Sequence, residues 1–140
     1  MNRPRRVVLD TSTLVSAALR TGSIPEQALL KAMGTCDICA SLGTLDELAL
    51  VLERKKFDRY LDPESRRSFV ALIRRSVHLF DVRDTDLAAV DPLCRDPRDN
   101  QFLALAQVAG ANVVVSSDDD LLVLHPWRGI PIMTPAQFLA

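Results

Sequence analysis

The chain has 140 residues, of which 48% are hydrophobic and 25% are charged, a balance typical of globular domains and unlike that of disordered or fibrous chains. This length suits a single core, so we predict one domain over residues 1–140. Seventeen basic and eighteen acidic residues leave a formal charge of −1. Attraction of the whole surface to nucleic acid is thereby excluded, and any such binding must come from local patches.

Export and disulfide bonding are not expected either. No apolar run approaches the roughly 20 residues that span a bilayer, and the basic start MNRPRR lacks the apolar region of a secretory signal. We therefore predict a cytoplasmic protein that contacts no membrane. Its three cysteines favour reduced thiols. Cys36 and Cys39 would point to opposite faces of one strand, so a shared metal site is not expected.

The first half of the chain alternates compact apolar runs with helical patterns. RVVLD is typical of a buried parallel strand, and Gly34 is expected to end the second helix. In chain order we predict a strand over residues 6–10, helices over 13–20 and 26–33, a strand over 36–41 and a helix over 44–57.

The second half continues the alternation. Asp96, Pro97 and Gly110 have the residue types of an N-cap, a first helical position and a terminator. We predict a helix over residues 62–76, a strand over 77–82, a helix over 96–110, a strand over 112–116, a short helix within 118–124 and a strand over 130–133. The alternation predicts an α/β fold of three layers, with about five mostly parallel strands between helices.

Four acidic residues come from separate elements but from one edge of this sheet. Asp10 ends the first strand, and Asp118 lies two residues beyond the fourth. Glu47 lies early in the helix after the second strand, and Asp99 in the first turn of the helix before the fourth. Ligands bind beyond the carboxyl ends of such strands. Because clustered carboxylates repel one another or hold protons, we predict that they bind Mg²⁺ or Mn²⁺.

Each acid also has a simpler explanation when taken alone. Asp99 is an ordinary first-turn acid favoured by the helix dipole, and Glu47 an ordinary solvated residue. The coincidence of all four at one edge favours a site. His78 and His125 lie outside this set, which argues against zinc, and both are interpreted as structural.

The sequence resembles a known family in four ordered segments: VVLDTSTLVSAAL, SLGTLDELALVLERKKF, RDPRDNQFLALAQVAGANVVVSSDDDLL and IPIMTPAQFL. These resemble the PIN-domain family, in particular the VapC-like toxin components of toxin–antitoxin systems, over essentially the whole chain. The resemblance implies a five-stranded parallel sheet between helices and an endoribonuclease dependent on Mg²⁺ or Mn²⁺. It also implies an RNA substrate, a small antitoxin protein as partner and a homodimer.

Carried over by residue, the acidic quartet of the family falls on Asp10, Glu47, Asp99 and Asp118 as catalytic and metal-binding residues. Ser12 stands where the family usually has Asn, Ser117 where it often has Gly, and Ser116 matches the usual Thr or Ser. The expected accessory residues are Ser12, Asp96, Ser116 and Asp120.

The three consecutive aspartates are expected to differ in role. Asp118 is the predicted ligand, Asp120 either approaches the same site or caps the next helix, and Asp119 faces solvent. In the expected reaction, one or two bound ions activate a water that attacks the phosphorus atom.

Basic residues near the acids are candidates to bind RNA, although each also fits an ordinary solvated charge. The candidates are Arg3, Arg5, Arg6, Arg54, Lys55, Lys56, Arg95 and Arg98. A second basic group is expected to coat a helix or meet a protein partner; it comprises Arg66, Arg67, Arg74 and Arg75.

Two other functions stay open. A haloacid-dehalogenase-type phosphohydrolase would use Asp10 as nucleophile, but it normally has a second Asp where Ser12 stands and leaves Glu47 without a role. The other alternative is a non-catalytic scaffold that binds RNA or protein.

Overall fold

The computed structural model describes residues 5–140 and contains a five-stranded parallel sheet with helices packed on both faces. The strands are β1 (Arg5–Leu9), β2 (Cys36–Ala40), β3 (His78–Leu79), β4 (Val113–Val115) and β5 (Ile132–Met133). The helices are α1 (Thr11–Leu19), α2 (Ile24–Thr35), α3 (Leu42–Leu52), α4 (Pro63–Ser76), α5 (Asp84–Ala88), α6 (Asn100–Ala109), α7 (Asp119–Leu122) and α8 (Pro135–Leu139). Two 3-10 turns, Lys55–Phe57 and Pro97–Asp99, connect them.

The strand order is β3-β2-β1-β4-β5, and every pairing is parallel. The chain leaves β1 toward β2 on one side and returns through β4 on the other. The carboxyl ends of β1 and β4 therefore flank the crevice where the strand order reverses, which is the usual ligand site of such sheets. The backbone N–H of Asp10 donates to the carbonyl of Val115 across this point, at 3.1 Å.

Alternate residues of β1 and β4 are buried in two separate cores. Val7 and Val113 pack with helices α1 to α4, whereas Val8 and Val114 pack with α6 and α7. This alternation follows from the two-residue period of a strand. It explains why the central strands are continuously apolar, and it confirms the predicted α/β arrangement of three layers.

Several predicted element boundaries are wrong. The helix predicted over 44–57 ends at Leu52, and residues 55–57 form a separate 3-10 turn. Gly34 does not end its helix, which continues to Thr35. The strand predicted over 77–82 pairs only at residues 78–79, because the chain then leaves the edge of the sheet.

Short local hydrogen bonds account for two further corrections. Asp96 caps a 3-10 turn by accepting from the N–H of Arg98, so α6 begins at Asn100 and Asp99 closes the turn before it. Helix α5 was not predicted; the Asp86 carboxylate caps it by accepting from the N–H of Arg83 at 2.8 Å.

The cysteines and histidines lie outside the acidic set except for Cys94. Cys36, Cys39 and Cys94 carry free thiols. His125 accepts from the backbone N–H of Ile132 through Nδ1 at 2.9 Å, and His78 lies 3.3 Å from Asp37. Within residues 5–140, no helix is both long and apolar enough to cross a membrane.

Candidate active site

Asp10 is the most enclosed of the four acids, with 2% of its surface exposed. It directly follows β1 and is the N-cap of α1, so its Oδ1 accepts from the N–H of Thr13 at 3.0 Å. The hydroxyls of Ser12 and Ser116 also donate to its carboxylate. Burial raises the pKa of Asp10, and these hydrogen bonds oppose that rise because they stabilise the charged form.

Ser116 connects Asp10 to Asp118. Its fully buried hydroxyl donates to Oδ2 of Asp10, and its Oγ accepts from the backbone N–H of Asp118 at 2.9 Å. Asp118 is in turn the N-cap of α7, with Oδ1 accepting from the N–H of Asp120 at 2.9 Å. One serine therefore sets the relative positions of two acids that follow adjacent strands.

Asp99 contacts another carboxyl group. It is 9% exposed, and the carboxyl group of Asp118 lies close enough to raise its pKa. Burial and the neighbouring Asp118 raise the pKa of Asp99 to about 8, with smaller contributions from Asp96 and Asp10. Near neutral pH this group therefore holds a proton that an exposed aspartate would have lost.

Glu47 is attached to the site through two neutral side chains. Its Oε2 accepts from the hydroxyl of Thr11 at 2.9 Å and from the amide Nε2 of Gln101 at 2.7 Å. Thr11 directly follows Asp10, and Gln101 is two residues beyond Asp99. The structure thus brings α3 to the two segments that carry other acids.

The accessory residues have different surroundings. Ser12 contacts Asp10, and Ser116 contacts both Asp10 and Asp118, as described above. Asp96 instead pairs with Arg98, Nη2 to Oδ2 at 3.0 Å. Asp120 lies in the first turn of α7, where its backbone N–H rather than its carboxylate contacts Asp118.

Asp119 is exposed, in agreement with its predicted solvent-facing position.

Sequence reasoning missed two neighbours of the acids. Gln101 is a polar residue at the start of the apolar segment FLALA, and that contrast was the available signal. Cys94 is buried, with Sγ 3.3 Å from the carbonyl of Asp120 and 4.0 Å from Oδ2 of Asp99. Burial, together with repulsion from Asp99, raises the pKa of this thiol. Nothing in its spacing along the chain indicated this position.

Several basic candidates are committed to other contacts. Arg98 pairs with Asp96, and Arg6 donates to the carbonyl of Ala109 at 2.6 Å. The prediction that Arg66 coats a helix surface is wrong, because it is 2% exposed and contacts Asp58 and the carbonyl of Arg54.

The other basic candidates are mostly exposed. Arg67 and Arg74 pair with acids of α3 and of the segment that follows it. The exposed side chains are Arg5, Arg54, Lys55, Lys56, Arg75 and Arg95. Arg3 lies outside the described residues.

The donor set fits a hard divalent cation. None of the ion pairs among residues 5–140 includes Asp10, Glu47, Asp99 or Asp118. In the same part of the chain, no three His, Cys, Asp or Glu side chains are arranged to hold a metal as they stand. Mg²⁺ is commonly held by one or two carboxylates plus water, so Asp10, Asp99 and Asp118 offer the type of donor that it prefers.

Known structures share this fold. VapBC2 from Rickettsia felis bound to a promoter DNA fragment aligns over 92% of this chain and 98% of that chain, with 13% identity and a TM-score of 0.67. DNA-bound VapBC from Salmonella typhimurium covers 94% and 98%, with 19% identity and a TM-score of 0.61. VapC20 from Mycobacterium tuberculosis, a Sarcin-Ricin loop cleaving toxin, covers 89% and 98%, with 16% identity and a TM-score of 0.58.

Sequence comparison identifies the family more directly. No functionally curated protein matches the sequence. The PIN domain matches residues 6–120, which include most of β1, all of β4 and all four acids. The chain therefore belongs to the PIN-domain family.

Proposed function

We propose that this protein is an endoribonuclease dependent on Mg²⁺ or Mn²⁺ and the toxin of a toxin–antitoxin pair. The supporting observation is the contact between Asp99 and Asp118 beside Asp10, where no basic side chain of the described residues forms an ion pair with the acids. A site that keeps uncompensated carboxylates together is suited to a divalent cation. The proposal treats all 140 residues as one nuclease domain.

Four side chains would hold the cation in this proposal: Asp10, Glu47, Asp99 and Asp118. When bound, it would lower the pKa of a water molecule and offset the charge of the scissile phosphate. Asp99, whose pKa is raised, would release its proton when the cation binds, while Ser12, Thr13 and Ser116 keep Asp10 oriented.

The substrate and partner are inferred from charge and from the relatives. VapC20 of Mycobacterium tuberculosis cleaves the Sarcin-Ricin loop, and the structures from Rickettsia and Salmonella are VapBC assemblies. We infer RNA as substrate here, with Arg54, Lys55, Lys56 and Arg95 as exposed cations available to its phosphates. A small antitoxin partner, a homodimer and a cytoplasmic location remain predictions.

The proposal is tested by incubating purified protein with total RNA and a structured ribosomal RNA, in Mn²⁺ and in EDTA. We expect cleavage in Mn²⁺ alone, and its loss in Asp118→Asn. The matched control is Ser117→Ala, since Ser117 is exposed beside the same strand end. Cleavage that persists in Asp118→Asn or in EDTA would contradict the proposal, and absence of cleavage would favour a non-catalytic scaffold.

A phosphohydrolase that uses Asp10 as nucleophile is less well supported. Both carboxylate oxygens of Asp10 accept hydrogen bonds, and the residue is 2% exposed. These contacts lower the reactivity of the carboxylate and limit approach of a phosphoryl group. Trapping a phosphorylated Asp10 during turnover of a phosphate ester would favour this alternative.

A further inference from the structure

Two neutral donors converge on a single oxygen of Glu47. The hydroxyl of Thr11, which begins α1, donates to Oε2 at 2.9 Å. The amide Nε2 of Gln101, on α6, donates to the same atom at 2.7 Å. Within residues 5–140, Oε1 of Glu47 accepts no hydrogen bond. One oxygen of the carboxylate is thus held in place while the other stays available.

The orientation of the Gln101 amide follows from the charge of Glu47. Its Nε2 faces the carboxylate, because the reversed amide would place two acceptor oxygens against each other. Its Oε1 then lies beside Gly43, where an added Cβ would meet it at 3.2 Å. That is tighter than most real Cβ contacts, so a methyl group at position 43 would shift the amide by a few tenths of an ångström.

Gly43 and Glu47 are one turn apart on α3. The Gln101 amide therefore donates to Glu47 through Nε2, while its Oε1 lies in the space that a Cβ on Gly43, one turn earlier, would approach. Thr11 contacts Glu47 from the opposite segment of the site. These contacts restrict rotation of the Glu47 carboxylate about its terminal bonds more than a single hydrogen bond would.

We propose that Gln101, seated against Gly43 and assisted by Thr11, is a positioning residue that orients Glu47 so that Oε1 is presented to the divalent cation. This inference rests on the proposed function. Gln101 touches neither substrate nor reacting atoms and acts only through Glu47. Neighbours that orient a metal ligand typically contribute about 10-fold or more to metal affinity.

Removal of the amide donor gives the main test. We expect Gln101→Leu to weaken Mn²⁺ binding by about 10-fold in calorimetric titration. The matched control is Gln107→Leu on the same helix, whose exposed side chain contacts Arg128 at 3.5 Å. A merely structural contact between α3 and α6 would lower Tm in EDTA without changing the Mn²⁺ dissociation constant, and that result would overturn the inference.

Gly43 allows an independent test that leaves every hydrogen-bonding group in place. Gly43→Ala should weaken Mn²⁺ binding by a smaller factor than Gln101→Leu, because the amide shifts but is still present. Gly34→Ala is the control, since a Cβ there meets nothing within 4 Å. It should leave the affinity unchanged and stabilise α2 slightly. Equal Mn²⁺ affinities of the two alanine variants would count against the role of Gly43.

Thr11 provides a rescue experiment and covers the case in which Gln101→Leu does not fold. Thr11→Val removes the hydroxyl at constant shape and should weaken Mn²⁺ binding, whereas Thr11→Ser should retain the wild-type value. If wild-type protein binds no Mn²⁺, the proposed function fails and the inference fails with it. If the wild type binds Mn²⁺ and the Gln101 and Thr11 variants bind it equally well, only the inference fails.

Discussion

Asp10 and Asp99 are both buried at the carboxyl edge of one sheet, yet their surroundings are opposite. Asp10 is met by donors: two serine hydroxyls and the backbone N–H of Thr13. Asp99 is met by an acceptor, the carboxyl group of Asp118. Neutral donors offset part of the cost of burying the charge of Asp10, whereas a neighbouring carboxyl group adds to the cost of the charge of Asp99.

The site therefore has two halves with different effects on stability: a donor half around Asp10 and an acidic half formed by Asp99 and Asp118. The donors around Asp10 belong to the fold itself, because Asp10 is the N-cap of α1 and Ser116 directly follows β4. The contact of Asp99 with Asp118 works against the stability of the metal-free chain. Sites of function often carry such a local cost, which the rest of the fold offsets.

Substituting each acid in turn tests whether the surroundings of Asp10 and Asp99 differ in this way. Asp10→Ala and Asp99→Asn should both lower RNA cleavage by about 100-fold or more, as expected for loss of one preorganised electrostatic group. In EDTA, the free energy of unfolding should fall in Asp10→Ala and rise in Asp99→Asn. Asp10→Ala removes a helix cap and leaves two hydroxyls without an acceptor, which should lower the free energy of unfolding by about 2 kcal/mol. Asp99→Asn instead replaces a repulsive contact with an amide donor to Asp118.

Urea unfolding of the wild type and both variants in EDTA measures this difference. Destabilisation by both substitutions, to a similar extent, would show that the contact of Asp99 with Asp118 carries no cost.

Substitution of Ser116 tests the hydrogen bonds around Asp10 separately from the contact of Asp99 with Asp118. Ser116→Ala removes the donor to Asp10 and the acceptor for the N–H of Asp118, both in a fully buried position. We expect a loss of about 1 to 3 kcal/mol in the free energy of unfolding, because buried polar groups lose their partners. Ser117→Ala, at the exposed neighbouring position, should change it by less than about 0.5 kcal/mol. Equal losses would mean that the serine bridge is not a source of stability.

The raised pKa of Asp99 should make the stability of the protein depend on pH. The pKa of Asp99 is raised from its ordinary 3.8 to about 8, so between these values the folded chain binds a proton that the unfolded chain has lost. This contribution is complete below pH 3.8 and is lost as the pH rises through about 8. The raised pKa of the buried Asp10 acts in the same direction.

We therefore expect Tm in EDTA to fall between pH 5 and pH 8.5, and Asp99→Asn to flatten that slope. Saturating Mn²⁺ should reduce the fall, because the cation takes the place of the Asp99 proton. A slope that is identical in Asp99→Asn and wild type would assign the effect to other groups.

The smallest effect is expected one residue from Asp118. Asp119 is exposed and its carboxylate makes no hydrogen bond among the described residues. Asp119→Asn should leave Mn²⁺-dependent cleavage within about twofold of the wild type, since exposed charges contribute little. A loss comparable to that of Asp118→Asn would show that the site extends to the second aspartate.

Much of the fold and the four acids could be predicted because the signals are local or topological. Apolar runs such as residues 6–10 and 112–116 identify central strands, and alternation with helices predicts parallel pairing. Parallel strands end at one edge of the sheet, so Asp10 and Asp118 fall near each other by topology. The ends of elements were less predictable: short turns at residues 55–57 and 97–99 depend on a few local hydrogen bonds.

Periodicity and residue type are properties of the chain, so the sequence alone predicted the α/β class and the residues of the central strands. It also nominated the four acids as a candidate site. Only the tertiary structure decided which acid faces donors and which faces another acid. It also decided that Cys94 and Arg66 are buried and that Gln101 donates to Glu47, 54 residues away in sequence. The physical reason is that burial and hydrogen bonding depend on which elements pack together, and residue spacing carries no record of a partner from another element.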